Sequence, residues 1–221
     1  ALSGAGGGAL LVVQVKGGAG AQGRRLDGTS GAIALSPDAK RIALTGAVNG
    51  KPLRFYDQPD LVIVDAAPGS QPRNLTTGYD YDVEGGLTGD QHPPRADAGG
   101  GIVWSRDGKG VVVVTTENGR ANLKRFSASD GKVDSVTTGA QDVVAYTGDA
   151  TGSKIVALIS TSVNIGDLYI LDNNTLRAAP RRITHVNESL LSTLDLSVPG
   201  EFWYKSFDGK SVQGWILKPP R

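Results

Sequence analysis

Three features predict an all-β chain folded as part of a β-propeller with four-stranded blades: short Val- and Ile-rich runs, dense turn residues, and a recurring four-strand unit. Of 221 residues, 31 are Gly and 11 are Pro. That glycine share is about twice the usual one and disfavours long helices. Apolar runs bounded by Gly, Asp or Asn predict strands at Leu10 to Val15, Arg41 to Thr45, Leu61 to Val64, Gly110 to Thr116, Asn122 to Phe126, Lys154 to Ser160 and Asp167 to Leu171. Only Val186 to Leu196 has a faintly helical spacing, which Ser192, Thr193 and their β-branched neighbours weaken.

The repeat sets the architecture. Ser36-Pro37-Asp38-Ala39-Lys40-Arg41-Ile42 lies over Ser105-Arg106-Asp107-Gly108-Lys109-Gly110-Val111, and Asp149-Ala150-Thr151-Gly152-Ser153-Lys154-Ile155 is a weaker third copy. After each copy comes a second apolar strand, then a polar strand closing on an apolar-Thr pair: Leu75-Thr76, Val136-Thr137 and Ile183-Thr184. Gly108 and Gly152 set a period of about 44 residues, the length of a four-stranded propeller blade. The first interval is longer because Gly78 to Gly101, rich in Gly, Asp and Pro, is inserted. Ser and Asp side chains cap such turns, and Asp107-Gly108 and Asp130-Gly131 supply the residue that tolerates positive φ. Blades are expected near 32–77, 101–138 and 141–185, with outer strands of another near 9–27 at Leu10 to Val15 and Arg24 to Leu26. Trp104, just ahead of its turn, is expected as bulky filler between blades. Three blades and a remnant leave two open flanks, so other blades are expected to complete the ring. The opening Ala1-Leu2-Ser3-Gly4, without Met, agrees with the expectation of a piece of something longer.

Composition excludes several function classes. A formal net charge of +1 gives no basic field for nucleic acid, and apolar runs of about five residues are too short for a membrane helix. With no Cys there is no disulfide scaffold, thiol catalysis or cysteine metal site, and the compartment stays open.

The boxes Ser36-Pro37-Asp38 and Trp104-Ser105-Arg106-Asp107-Gly108-Lys109 resemble the TolB-like blades of the prolyl oligopeptidase family of serine peptidases. A stronger likeness is Pro199 to Pro220, two alternating strands about Asp208-Gly209 that end in a proline stop. It resembles that family's passage from propeller into an α/β-hydrolase domain, so 1–197 reads as partial propeller and 198–221 as linker plus first hydrolase strands. The resemblance implies a cap that restricts an active site to oligopeptides, whether of dipeptidyl, acylaminoacyl or oligopeptidyl type. Its implied partners are a peptide substrate, the rest of the propeller and an α/β-hydrolase domain, in the same polypeptide or another chain; no cofactor is implied. Catalysis in the family uses Ser on a Gly-x-Ser-x-Gly elbow followed by Asp and His. That elbow is absent from these 221 residues, so no catalytic residue is carried over and the chain by itself is expected to be inert. A self-standing TolB-like propeller that binds protein partners is the alternative.

Candidate sites are few. Asp82 and Glu84 in the insert are candidates for holding a peptide's amino terminus through charge-assisted hydrogen bonds, as a Glu pair does in the family's dipeptidyl aminopeptidases; a solvated acidic loop is the plain alternative. The same stretch, Asp80 to Gly85, copies the first half of a calcium loop, but Gln91 stands where the bidentate Glu belongs and no metal site is expected. Gly18-Ala19-Gly20-Ala21-Gln22-Gly23 spells a dinucleotide fingerprint without the helix that makes one work, and reads as a hairpin loop. His92 and His185 have no nucleophile or second ligand at useful spacing. Arg24-Arg25 and Arg181-Arg182 read as surface charge, and the Asn-x-Ser/Thr triplets at Asn74, Asn173 and Asn187 coincide with turns.

Overall fold

A computed structural model describes residues 9–12, 24–27, 30–46, 58–67, 69–83, 85–87, 101–177 and 179–220. Gly18 to Gly23, Glu84, Gln91 and His92 lie outside the described residues. Strands dominate. β1 (Ala9–Val12) and β2 (Arg24–Asp27) form an antiparallel pair. β3 (Ser30–Leu35), β4 (Arg41–Gly46), β5 (Asp60–Asp65) and β6 (Arg73–Asn74) make a four-stranded antiparallel sheet in chain order. In the next sheet β7 (Asp82–Val83) and β8 (Val103–Trp104) both pair with β9 (Gly110–Glu117), which pairs with β10 (Arg120–Ser127), and β10 with β11 (Val133–Ser135). β12 (Asp142–Gly148), β13 (Lys154–Thr161), β14 (Asn164–Asp172) and β15 (Arg181–Arg182) again follow chain order, joined to the sheet before by one parallel bridge, Ala121 to Asp142. The faint helical spacing amounts to one turn, α1 (Glu188–Leu191), without a side-chain cap. β16 (Gly200–Lys205) and β17 (Ser211–Ile216) form a separate hairpin.

Two side-chain devices recur with the sheets and explain the repeated letters. The first closes the turn ahead of each long strand. Asp107 accepts from the Ser105 hydroxyl at 2.7 Å and the Lys109 N–H at 3.0 Å, while Ser105 Oγ accepts the Gly110 N–H at 2.8 Å. Ser36 and Asp38 repeat this with Lys40 and Arg41, and Asp149 takes the Ser153 and Lys154 N–H groups. These bonds favour the charged form, so hydrogen bonds from Ser36 and Ser105 hold Asp38 and Asp107 below the ordinary carboxylate range. The residue after the Asp turns left-handed at Ala39 (φ 57°) and Gly108 (φ 66°), and at Gly209 (φ 80°) in the exit hairpin, whereas in the third copy it is Gly152 (φ 68°), three residues after Asp149. Ala39 is the departure from glycine, a strained position for an L-residue.

The second device fastens the outer strand. Thr76, Thr137 and Thr184 each accept the backbone N–H of a Leu across the sheet, at Leu61, Leu123 and Leu168. Each hydroxyl then donates to the residue before that Leu: Asp60 at 2.6 Å, Asn122 at 2.9 Å and Asp167 at 2.8 Å. One hydroxyl satisfies two polar groups, a backbone N–H and a side-chain acceptor, which is why the closing pair is apolar-Thr and not simply apolar.

The core lies between sheets. Ala43, Leu61, Ile63 and Leu75 of the first meet Trp104, Val111, Val113 and Phe126 of the second. The opposite face of the second sheet packs Val112, Val114 and Leu123 against Val143, Ile155, Ala157 and Leu171 of the third. Alternate residues of β9 thus serve opposite interfaces, so this middle strand reads Val-Val-Val-Val. Trp104 sits between sheets as expected, only 4% exposed, its Nε1 donating to the Ala34 carbonyl at 3.2 Å. The Arg41 guanidinium covers its ring at 5.3 Å and donates to the Gly108 carbonyl at 2.8 Å. Face-to-face stacking of successive four-stranded sheets is propeller packing.

Candidate functional site

The insert interrupts a strand. β7 pairs with Thr115 and Thr116, at the end of β9, and β8 pairs with Val111 and Val112 at its beginning. Both run antiparallel to β9, so Asp82–Val83 and Val103–Trp104 are two pieces of one innermost strand, with residues 84–102 leaving between them. Innermost strands line the central passage of a propeller. A cavity of about 260 Å³ indeed lies between Ala34 and Leu35 of β3, Trp104 of β8, and Tyr146 and Gly148 of β12, at the end of the sheets where the Ser-x-Asp turns sit.

Asp82 stands at the other end of that wall. Its side chain is half-buried, with Oδ1 shielded from solvent. The chain folds back over it at Gly85, where a Cβ would lie 2.6 Å from Asp82 Oδ2, so no larger residue fits without displacement. The Thr116 hydroxyl fixes this return by donating to the Gly85 carbonyl at 2.7 Å. Beside it, Tyr79 packs edge-on against Phe126 at 5.1 Å and tilted against the exposed Tyr81 at 5.5 Å. The Tyr79 hydroxyl meets the Glu117 carboxylate, to which Lys124 Nζ also donates at 2.9 Å. Burial, and then the Glu117 acceptor, push the Tyr79 phenol well above its ordinary range, so it stays a donor. The geometry gives an acid rooted on the passage wall with an aromatic neighbour. Glu84, its predicted companion, lies outside the described residues.

The same end of the sheet carries the exit hairpin. Trp215 lies against the β9–β10 turn so closely that a Cβ on Gly119 (φ 64°) would stand 2.5 Å from its ring. Gln213 Nε2 donates to the Asn118 carbonyl at 3.0 Å, and Arg120 pairs with Glu201, which also accepts from Trp203 Nε1 at 2.7 Å and Gln213 at 2.9 Å. Sequence reasoning missed this clasp, since its partners are about 80 to 100 residues apart and none belongs to the repeat. His185 is elsewhere, exposed on the outer strand's exit and paired with Glu188.

Comparison with known proteins agrees with this architecture. No protein-family profile matches the chain. Over 187 residues it is 24% identical to dipeptidyl-peptidase 5 of Porphyromonas gingivalis, covering 84% of this chain and 24% of that protein. The chain therefore spans about a quarter of that relative's length. Among solved structures it superimposes on the acylaminoacyl peptidase of Pyrococcus horikoshii with a TM-score of 0.61 and 20% identity, covering 91% of this chain and 27% of that one. It also matches TolB of Acinetobacter baumannii, with a TM-score of 0.50 and 18% identity, covering 89% of this chain and 43% of that one. In fold the chain is a β-propeller segment, and in sequence and structure it is similar to part of peptidases of the prolyl oligopeptidase type.

Proposed function

We propose that this propeller segment caps the active site of a serine peptidase that hydrolyses oligopeptides, gating access and lining the cavity without contributing catalytic groups. The observation that carries the reading is the exit hairpin. A free-standing propeller uses its last strands to complete a blade, whereas β16–β17 joins no blade sheet among the described residues. It also exposes Phe202, Trp203, Tyr204, Trp215 and Leu217, which suits the first strands of a further, α/β-hydrolase domain. Residues 1–197 are then the partial propeller, with blades near 32–77, 101–138 and 141–185, and 198–221 begin the hydrolase domain. Leu168 and Ile183, exposed on the last sheet, form a flank that a further blade would cover.

Asp82 and Glu84 take the role of amino-terminal anchor. Asp82 is rooted at the end of the innermost strand nearest the β9–β10 turn that holds the exit hairpin. A carboxylate there would hold a peptide ammonium by charge-assisted hydrogen bonds, about 1.5–3 kcal/mol each. In the natural polypeptide, Asp82→Asn should lower kcat/KM for peptides with a free amino terminus by about tenfold or more, and leave N-acetylated peptides unchanged. Glu84→Gln should act in the same direction. Equal loss on both substrate classes, or hydrolysis of neither by the unmodified protein, contradicts the reading.

A further inference from the structure

A second cavity, of about 650 Å³, lies between the second and third sheets at the end away from the exit hairpin. It is lined by the Ser105–Gly110 turn, by Arg125 of β10, Asp134 of β11, and by Asn173, Asn174 and Leu176 beyond β14. The repeat does not demand this cavity. At the equivalent place one sheet earlier, the turn after β10 packs so closely that a Cβ on Gly131 would stand 2.5 Å from the Leu75 carbonyl oxygen. After β14 the connection to β15 is longer, and its Asn173, Asn174 and Leu176 form one wall of the cavity.

Arg125 is the central group. Its stem crosses Gly110, where a Cβ would lie 2.7 Å from Arg125 Cδ, and its Nη2 donates to the carbonyl and to Oδ1 (2.8 Å) of Asn173. Asn173 is itself fully buried and held by its donation to the Gly152 carbonyl at 2.9 Å, so the guanidinium is fixed from behind. Among the described residues no carboxylate stands within ion-pair distance of Arg125, and its Nε is buried without a hydrogen-bond partner. Burial pulls its pKa down, while the more distant Asp107 and Asp134 raise it. Within the turn Asp107 accepts from Ser105 and Lys109, both on Oδ1. Lys109 and Arg106 are exposed at the mouth, and Leu176, 43% exposed, forms an apolar rim. The cations Arg106, Lys109 and Arg125 outnumber the acids Asp107 and Asp134 in the lining by one. With no carboxylate within ion-pair distance of the half-buried Arg125 and an apolar rim at Leu176, the cavity is complementary to a monoanion bearing an aliphatic tail.

We propose that this inter-blade cavity is a binding site for a small aliphatic carboxylate, its carboxylate on Arg125 and Lys109 and its tail against Leu176. The site is independent of whether the parent protein hydrolyses peptides. The test is saturation-transfer difference NMR of 4-methylpentanoate, 4-methylpentanamide and inorganic phosphate with the natural polypeptide. The expected result is a Kd of about 1 mM or tighter for the carboxylate, with much weaker binding of the amide and of phosphate. Arg125→Gln should weaken carboxylate binding by about tenfold or more. Lys109→Ala, an exposed change that leaves the fold intact, should weaken it by about threefold. No carboxylate binding, equal binding of the amide or phosphate, or unchanged binding in Lys109→Ala overturns the proposal.

Discussion

Trp104→Ala should cost about 3–5 kcal/mol of stability and lower the unfolding midpoint by roughly 10 °C. The indole is almost wholly enclosed between two sheets, so its removal leaves a cavity lined by Ala43, Ile63, Val111 and Phe126. Rigid strands on both sides prevent collapse into that space. Two further contacts are lost. The Ala34 carbonyl loses its donor, and Arg41 loses the ring it covers while keeping its bond to Gly108. Trp104→Phe retains most of the ring and none of the N–H, so a cost of about 1–2 kcal/mol is expected. Urea unfolding of the three proteins measures both numbers. A loss below about 1 kcal/mol in the Ala variant would mean that the sheets are not held together by this side chain.

Asp167→Asn should cost about 3–5 kcal/mol at neutral pH, although it changes only one atom. Asp167 is fully buried and answers five donors: Arg182 Nη2 at 2.5 Å and Nε at 2.9 Å, Asn164 at 3.0 Å, Thr184 at 2.8 Å and the Val186 N–H at 3.0 Å. Burial alone would raise its pKa; the hydrogen bonds from Val186, Thr184, Asn164 and Arg182 outweigh it and hold the group far below the ordinary carboxylate range. The sign follows from that depression. In the unfolded chain the group titrates near about 3.9, so its stabilisation is complete above that pH and is lost as pH falls toward the folded value. Asn cannot titrate, and its NH₂ would point at donors. Urea unfolding from pH 7 to pH 3 should therefore show the gap between the two proteins narrowing below about pH 4. A gap that is constant with pH would remove the charged form of Asp167 from the account.

Legibility followed the repeat. Ser105, Asp107 and Gly108 were readable as a turn because three local bonds determine it, and they read the same wherever Ser-x-Asp recurs. Thr76, Thr137 and Thr184 were visible as a pattern before their hydrogen bonds to Leu61, Leu123 and Leu168 supplied a reason. The innermost strands were less visible. Asp142–Gly148 mixes Asp, Tyr and Thr with its valines because it lines a passage and carries a bulge, which blurs the alternation. Asp82–Val83 was hidden inside an insert, since two residues of strand leave no period to read. The clamps Arg41 on Trp104, Arg125 on Asn173 and Arg120 on Glu201 join residues far apart in the chain. No local pattern encodes such pairs. For the candidate site, the sequence offered Asp82 as an acid in a loop. The fold made it an acid on the innermost strand of its sheet, beside the turn that holds the exit hairpin.

The most direct test of the account is to treat the natural polypeptide that carries these residues with a serine-directed fluorophosphonate and map the modified peptide. A single labelled serine outside residues 1–221, with loss of peptide hydrolysis in proportion to labelling, is the predicted result. No labelled serine, or one within these residues, would contradict a non-catalytic cap on a serine peptidase.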